Sequence, residues 1–110
     1  MPHAELKYSS DLKINAVAIL ADIEQMILQH DAGSGECKGR AYPTDYFHHS
    51  HLILEISMLT KPHRDDAFTA ALMEDLEQLV KAHIPQSCYF SLVIAYNKGA
   101  YATNFHEVVS

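Results

Sequence analysis

The sequence predicts an α+β fold: a mixed four-stranded sheet with two helices packed on one face. Three observations carry this reading. Strand-like segments alternate apolar and polar residues, as in Leu52, Leu54, Ile56 and Met58 against His51, Ile53, Glu55 and Ser57. Two long segments instead carry apolar residues at helical spacing. The pairing of one strand with one helix occurs twice, about 50 residues apart, which makes the chain a β-α-β pseudo-repeat.

Each element follows from local chemistry. Ala4, Leu6 and Tyr8 alternate with Glu5 and Lys7 in a first strand over residues 3–8. Ser9, Ser10 and Asp11 offer N-cap chemistry for a helix over residues 12–29. Its stripe is Leu12, Ala16, Ile19, Leu20, Ile23 and Ile27, and Gly33 and Gly35 stop it. Residues 36–42 form a short extended stretch, and Pro43, Thr44 and Asp45 a turn. A long strand over residues 50–60 runs through the turn at Pro62 into a second helix over residues 65–83. Phe68, Leu72, Leu76, Leu79 and Val80 are its stripe, and Pro85 ends it. Residues 88–96 are a third long strand, and residues 101–109 an extended tail after the Asn97-Lys98-Gly99 turn.

The length of 110 residues suits one domain, residues 1–110, with one modest core. At 48% hydrophobic and 20% charged, the composition is that of a soluble globular protein. A net charge of −6, with only 8 lysines and arginines, argues against nucleic-acid and anionic-membrane surfaces. No apolar run approaches the ~20 residues that span a bilayer. Cys37 and Cys88 stand far apart and outside any CxxC spacing. With no signal peptide in view, they read as reduced thiols and place the chain in the cytoplasm. The second sheet face would carry Ile53, Tyr89 and Val93, an apolar patch that calls for a partner subunit.

The chain opens Met1-Pro2-His3. Removal of Met1 would leave Pro2 with a free secondary amine. Burial and nearby cations can bring such a group from roughly 8 towards neutrality, where general bases work best. Arg64 stands just before the second helix, where an arginine can hold a carboxylate by two parallel hydrogen bonds. Its alternative is an ion pair with Asp65 or Asp66. Lys38 and Arg40, two apart in an extended stretch, project to one face as a second cationic pair or as solvated surface charge. His48, His49 and His51 lie within four residues. Zinc commonly uses His and Cys, yet this spacing defines no recognised site, and the histidines read as a loop and interface set. No GxSxG, P-loop or GxGxxG is present.

Taken in order, Met1-Pro2-His3, a long helix, Lys38-Gly39-Arg40, Arg64 between strand and helix, Lys81-Ala82-His83 and Thr103-Asn104-Phe105 resemble the 5-carboxymethyl-2-hydroxymuconate Δ-isomerase family of the tautomerase superfamily. The resemblance runs over nearly the whole chain. It implies a tautomerase-like β-α-β pseudo-repeat, a homotrimer, and Pro2 as the catalytic base. By position, Arg64 matches an arginine at the start of the second helix, and Arg40 one of two arginines after the first. Lys38 replaces the other, keeping the charge without the planar fork. The segment of residues 42–50 is shorter than in better-known members. The implied catalytic residues are Pro2, Arg40 and Arg64, with Lys38, Arg40 and Arg64 binding a small anionic carboxylate. The implied chemistry uses no cofactor and no metal. Two other classes remain open on the residues: a non-catalytic ferredoxin-like binding module, and a metal protein built on His48, His49 and His51.

Overall fold

The computed structural model describes residues 1–109. The elements run β1 (His3–Ser9), α1 (Ala16–His30), β2 (Lys38–Thr44), β3 (His51–Leu59), α2 (Asp66–Ala82) and β4 (Tyr89–Asn97). The sheet order is β2-β1-β3-β4. β1 pairs in parallel with β2, and β3 in parallel with β4. The two β-α-β halves meet at the centre, where β1 and β3 run antiparallel with Leu6 opposite Leu54. A parallel pair cannot be closed by a hairpin, so each half needs its helix as the crossover.

The core lies between sheet and helices. Ala4, Leu6, Leu52, Leu54, Ile56 and Met58 bury the inner sheet face, in the alternation read from the sequence. Ile19, Ile23 and Ile27 from α1 and Leu72, Leu76 and Val80 from α2 close over it, each set at i, i+4, i+8. Each such side chain contributes roughly 1.5–3 kcal/mol through burial.

The start of α1 departs from expectation. Ser9 ends β1, where its Oγ accepts from the His51 amide at 2.9 Å, and Asp11 hydrogen-bonds Ser50. Two of the three candidate caps are therefore spent on β3 and the residue before it. Asn15 caps instead, its Oδ1 accepting from the Ala18 amide at 3.1 Å. Leu12 is buried but precedes the helix. α2 begins as expected, with the Asp65 carboxylate accepting from the Phe68 amide at 2.9 Å. The tail of residues 101–109 forms no strand, leaving Phe105, Val108 and Val109 exposed.

Two histidine–aspartate contacts tie the helices together. His30 Nε2 lies 2.7 Å from Asp75, and His83 Nε2 lies 2.8 Å from Asp22. The crossed pairing shows that α1 and α2 run antiparallel.

The open sheet face is divided. Towards β2, Arg40 donates to Glu5 at 3.0 Å, and Lys7 lies 3.2 Å from Glu55 and 3.9 Å from Glu5. Lys7 thereby relieves the repulsion between Glu5 and Glu55, which stand directly opposite each other. Towards β4 the face is apolar, with Val93 47% and Tyr89 71% exposed.

Gly39 faces α1, and a Cβ there would come within 2.9 Å of Leu20 Cδ2. We expect Gly39→Val to cost about 1–3 kcal/mol, read as a lower denaturation midpoint at unchanged m-value, because Leu20 must leave its present position over β2.

Candidate active site

The β1–β3 register sets the site. His3 stands opposite Ser57 and Ala4 opposite Ile56, so the amino terminus arrives where β3 ends and the turn to α2 begins. Pro2 is fully buried, and its carbonyl accepts from the Lys38 amide at 2.9 Å. Both backbone neighbours of the amino terminus thus lead directly into cationic segments: Lys38 on one side, Lys61 and Arg64 on the other.

These cations act on the terminal amine. In the chain as it stands this is the amine of Met1, one residue ahead of the Pro2 nitrogen. Burial first, and then the positive charges of Lys61, Arg64 and Lys38, hold its pKa below the usual range. All four effects disfavour the ammonium form.

Arg64 is held rigidly. Its side chain is 2% exposed. Nε and Nη2 donate to one Asp31 carboxylate oxygen at 3.0 and 2.8 Å, and Nη1 donates to the Leu59 carbonyl at 2.8 Å. The partner is Asp31, at the C-terminus of α1, and neither Asp65 nor Asp66. Asp65 is unsuitable because its carboxylate caps α2. His63 Nε2 also lies 2.9 Å from Asp31. Burial opposes ionisation of Asp31, but the hydrogen bonds from His63 and Arg64 prevail and hold its carboxyl at about 2.

Lys38 and Arg40 lie on β2 two residues apart and share a face, as expected. Lys38 Nζ donates to Glu36 at 2.7 Å, an exposed pair. Arg40 also donates to His3 Nδ1 at 3.4 Å and borders a cavity of about 370 Å³ on the open face. His3, Glu5, Ser57, Val93 and Tyr101 are among its other walls. That volume falls in the range of small-molecule sites. Tyr101 links this cavity to the amino terminus, because its hydroxyl donates to the Met1 carbonyl at 3.4 Å. The cavity therefore lies beside the amino terminus, with His3 among its walls, and Lys38, Lys61 and Arg64 are not among them.

Lys61 and Tyr101 escaped the sequence reading. Lys61 showed no pattern of its own beside Arg64. Tyr101 and Thr103, whose Oγ1 lies 3.9 Å from Met1 Sδ, reach the amino terminus only through the path of the tail. His48, His49 and His51 lie elsewhere. His49 has a positive φ of 66° and stacks on His48 at 4.1 Å, while His51 Nδ1 turns to the His49 carbonyl at 2.8 Å. Among the described residues, no three His, Cys, Asp or Glu side chains converge as a metal site would require. Cys37 is a half-buried free thiol. Burial, followed by the Glu24 carboxylate, pushes it up to about 11.

The Asp31–Arg64 pair has a stated pH window. Folding lowers the Asp31 pKa from about 3.9 to about 2, so the native state binds fewer protons than the unfolded chain between these values. The stabilisation, about 2 kcal/mol, is present above pH ~4 and is lost as the pH falls towards 2. We expect Asp31→Asn to cost about 3 kcal/mol at pH 7, because a buried guanidinium loses its counter-charge. It should also flatten the acid limb, read by denaturant titration at pH 7 and pH 3.

No protein-family model and no curated protein matches the sequence. Solved structures do. A 5-carboxymethyl-2-hydroxymuconate delta-isomerase superposes with a TM-score of 0.78 at 18% identity, over 96% of this chain and 89% of that one. A 5-carboxymethyl-2-hydroxymuconate isomerase from Deinococcus radiodurans R1 gives 0.75 at 17% identity, over 94% and 90%. A fused 4-OT wild-type symmetric trimer gives 0.62 at 12% identity, over 84% and 86%. No helix among the described residues is long and apolar enough to cross a membrane. At these identities the likeness is one of fold, and the fold this chain adopts is that of the 5-carboxymethyl-2-hydroxymuconate isomerases.

Proposed function

We propose that this protein is a tautomerase: an isomerase that moves one proton within an unsaturated 2-hydroxy-dienoate di- or tricarboxylate, such as 5-carboxymethyl-2-hydroxymuconate. The observation that carries the reading is the amino terminus itself. A buried Pro2 follows Met1 at a cation-rich corner, beside a cavity, on the fold of such isomerases.

In this mechanism Met1 is removed and the Pro2 nitrogen becomes a secondary amine. The charges that depress the Met1 amine lie close to the new terminus too, and positive neighbours disfavour the ammonium form of any amine there. The neutral amine takes the proton of the 2-hydroxyl: the O–H bond breaks, an N–H bond forms, and a dienolate remains. The prolyl ammonium returns that proton to the distant carbon of the dienolate. A C–H bond forms, the oxygen becomes the 2-oxo group, and Pro2 is neutral again. One base serves both steps and the cycle closes without a co-reactant.

The cations divide the remaining work. Arg64 stands near the base but is committed to Asp31 and the Leu59 carbonyl, so it orders this corner and does not itself touch the substrate. Lys38 and Arg40 are paired with the exposed carboxylates of Glu36 and Glu5. Such surface pairs hold weakly, so both cations can exchange their partners for substrate carboxylates. Arg40 serves the end of the cavity away from the base.

The same reading assigns a homotrimer. Val93 and Tyr89 leave an apolar strip on the open face, Phe105 is exposed on the tail, and a symmetric trimer shares the fold. A second subunit covering that strip would also close the cavity beside Arg40. Size-exclusion chromatography with light scattering should give three times the chain mass of 12.3 kDa.

Ultraviolet absorbance tests the chemistry directly. Protein whose intact mass shows loss of Met1 should convert 2-hydroxymuconate to its 2-oxo-3-enoate. Insertion of an alanine between Met1 and Pro2 should lower kcat/KM by about 100-fold or more, since the base then becomes an amide nitrogen. Undiminished turnover in the insertion variant would remove Pro2 from the mechanism.

A further inference from the structure

The cations around the amino terminus differ in what they already hold. Arg64 is committed to Asp31 and the Leu59 carbonyl within the protein interior. Lys38 is paired with Glu36, and Arg40 with Glu5. Lys61 is part-buried and makes neither an ion pair nor a side-chain hydrogen bond with any described residue. An ammonium without a counter-charge in the protein is free to take an anion from outside.

The backbone of Lys61 is fixed on both sides. Thr60 donates to the Asn97 carbonyl through its amide at 3.3 Å and its hydroxyl at 3.1 Å. The Arg64 amide donates to the Lys61 carbonyl at 3.0 Å, closing the turn into α2. The β1–β3 register brings this turn to the amino terminus. Arg64 and Lys61 thus leave one short turn with different duties. The arginine is an internal brace, and the lysine is an uncommitted charge in the turn next to the amino terminus.

We propose that Lys61 is the specificity-determining carboxylate anchor of this site, with Arg64 as a positioning residue that holds the Lys61 turn against the amino terminus. This deepens the tautomerase reading and rests on it for the identity of the base, though the anion-binding claim can be measured separately. The two lysines stand on opposite sides of Pro2: Lys61 beyond the end of β3, Lys38 at the start of β2. A ligand that spans Pro2 therefore meets an ammonium at each side, which selects a linear dicarboxylate over a monocarboxylate. A monocarboxylate can engage only one of the two ammonium groups, and Lys38 then keeps its exposed pairing with Glu36.

The experiment uses the Met1-processed protein, with trans,trans-muconate as an unreactive dicarboxylate and sorbate as a monocarboxylate of the same length and double-bond geometry. Calorimetry should show muconate binding about ten-fold or more tighter than sorbate in the unaltered protein. Lys61→Met should weaken muconate by about ten-fold or more and bring it close to sorbate, whereas Lys61→Arg should restore most of the preference. With 2-hydroxymuconate the Lys61→Met change should fall mainly on KM. Circular dichroism and the thermal midpoint should be unchanged, because the side chain braces nothing in the fold. Muconate affinity within two-fold of the unaltered protein in Lys61→Met, or no preference for muconate over sorbate in the unaltered protein, overturns the proposal. Turnover with a KM insensitive to Lys61 leaves the tautomerase reading standing and removes this inference. Lys61-dependent muconate binding without any turnover does the reverse.

Discussion

The antiparallel pairing of β1 with β3 is the constraint on which the rest of this molecule depends. Each β-α-β half is parallel within itself and buries only one sheet face. The central pair joins the halves, places Leu6 opposite Leu54 at the middle of the core, and brings the first residues of the chain to the end of β3. A one-residue slip would turn Ala4, Leu6 and Tyr8 outward and expose Glu5 and Lys7 to the core, so the register is strongly specified. The same register carries the amino terminus into contact with the turn that bears Lys61 and Arg64. Core packing and site geometry are in this sense one requirement.

The electrostatics follow from that placement. An acidic chain concentrates three of its few cations about one buried end. Their proximity disfavours an ammonium, which suits a base, and it favours an anion, which suits a carboxylate ligand. One aspartate keeps this arrangement in order. Asp31, at the end of α1, fixes Arg64 at the start of α2 and thereby links the two halves beside the site. The interaction is buried and charge-assisted, unlike the exposed pairs of Lys38 and Arg40, and this difference separates bracing from binding.

Much of the fold was legible because its periodicities are clean. The i, i+4 sets Ile19, Ile23, Ile27 and Leu72, Leu76, Val80, and the alternation through β3, each point to one face. The helix start was misplaced for a tertiary reason. Ser9 and Asp11 have cap chemistry, but β3 and its preceding loop claim both, and the cap passes to Asn15. The last extended segment lacks a strand partner within the chain, so its composition alone could not make it a strand. Of the residues read from the sequence, Lys38 and Arg64 act on the terminal amine next to Pro2, whereas Arg40 borders a cavity that neither of them lines. Lys61 and Tyr101 were silent in the sequence because a single lysine or tyrosine has no period and no motif.

What the sequence determined by itself was local: which residues form strands and helices, which faces are apolar, and that a proline stands where it can become an amino terminus. Those properties depend on near neighbours along the chain, and near neighbours are what a sequence displays. The tertiary structure alone decided which charges meet. Arg64 has two aspartates immediately beside it in sequence and pairs with neither. Its partner is Asp31, 33 residues away. Asp65 is occupied as a helix cap, whereas Asp31 lies at the closing end of the other helix, within reach of a buried guanidinium. Charge pairing acts through space, and only the folded chain fixes the distances on which it depends.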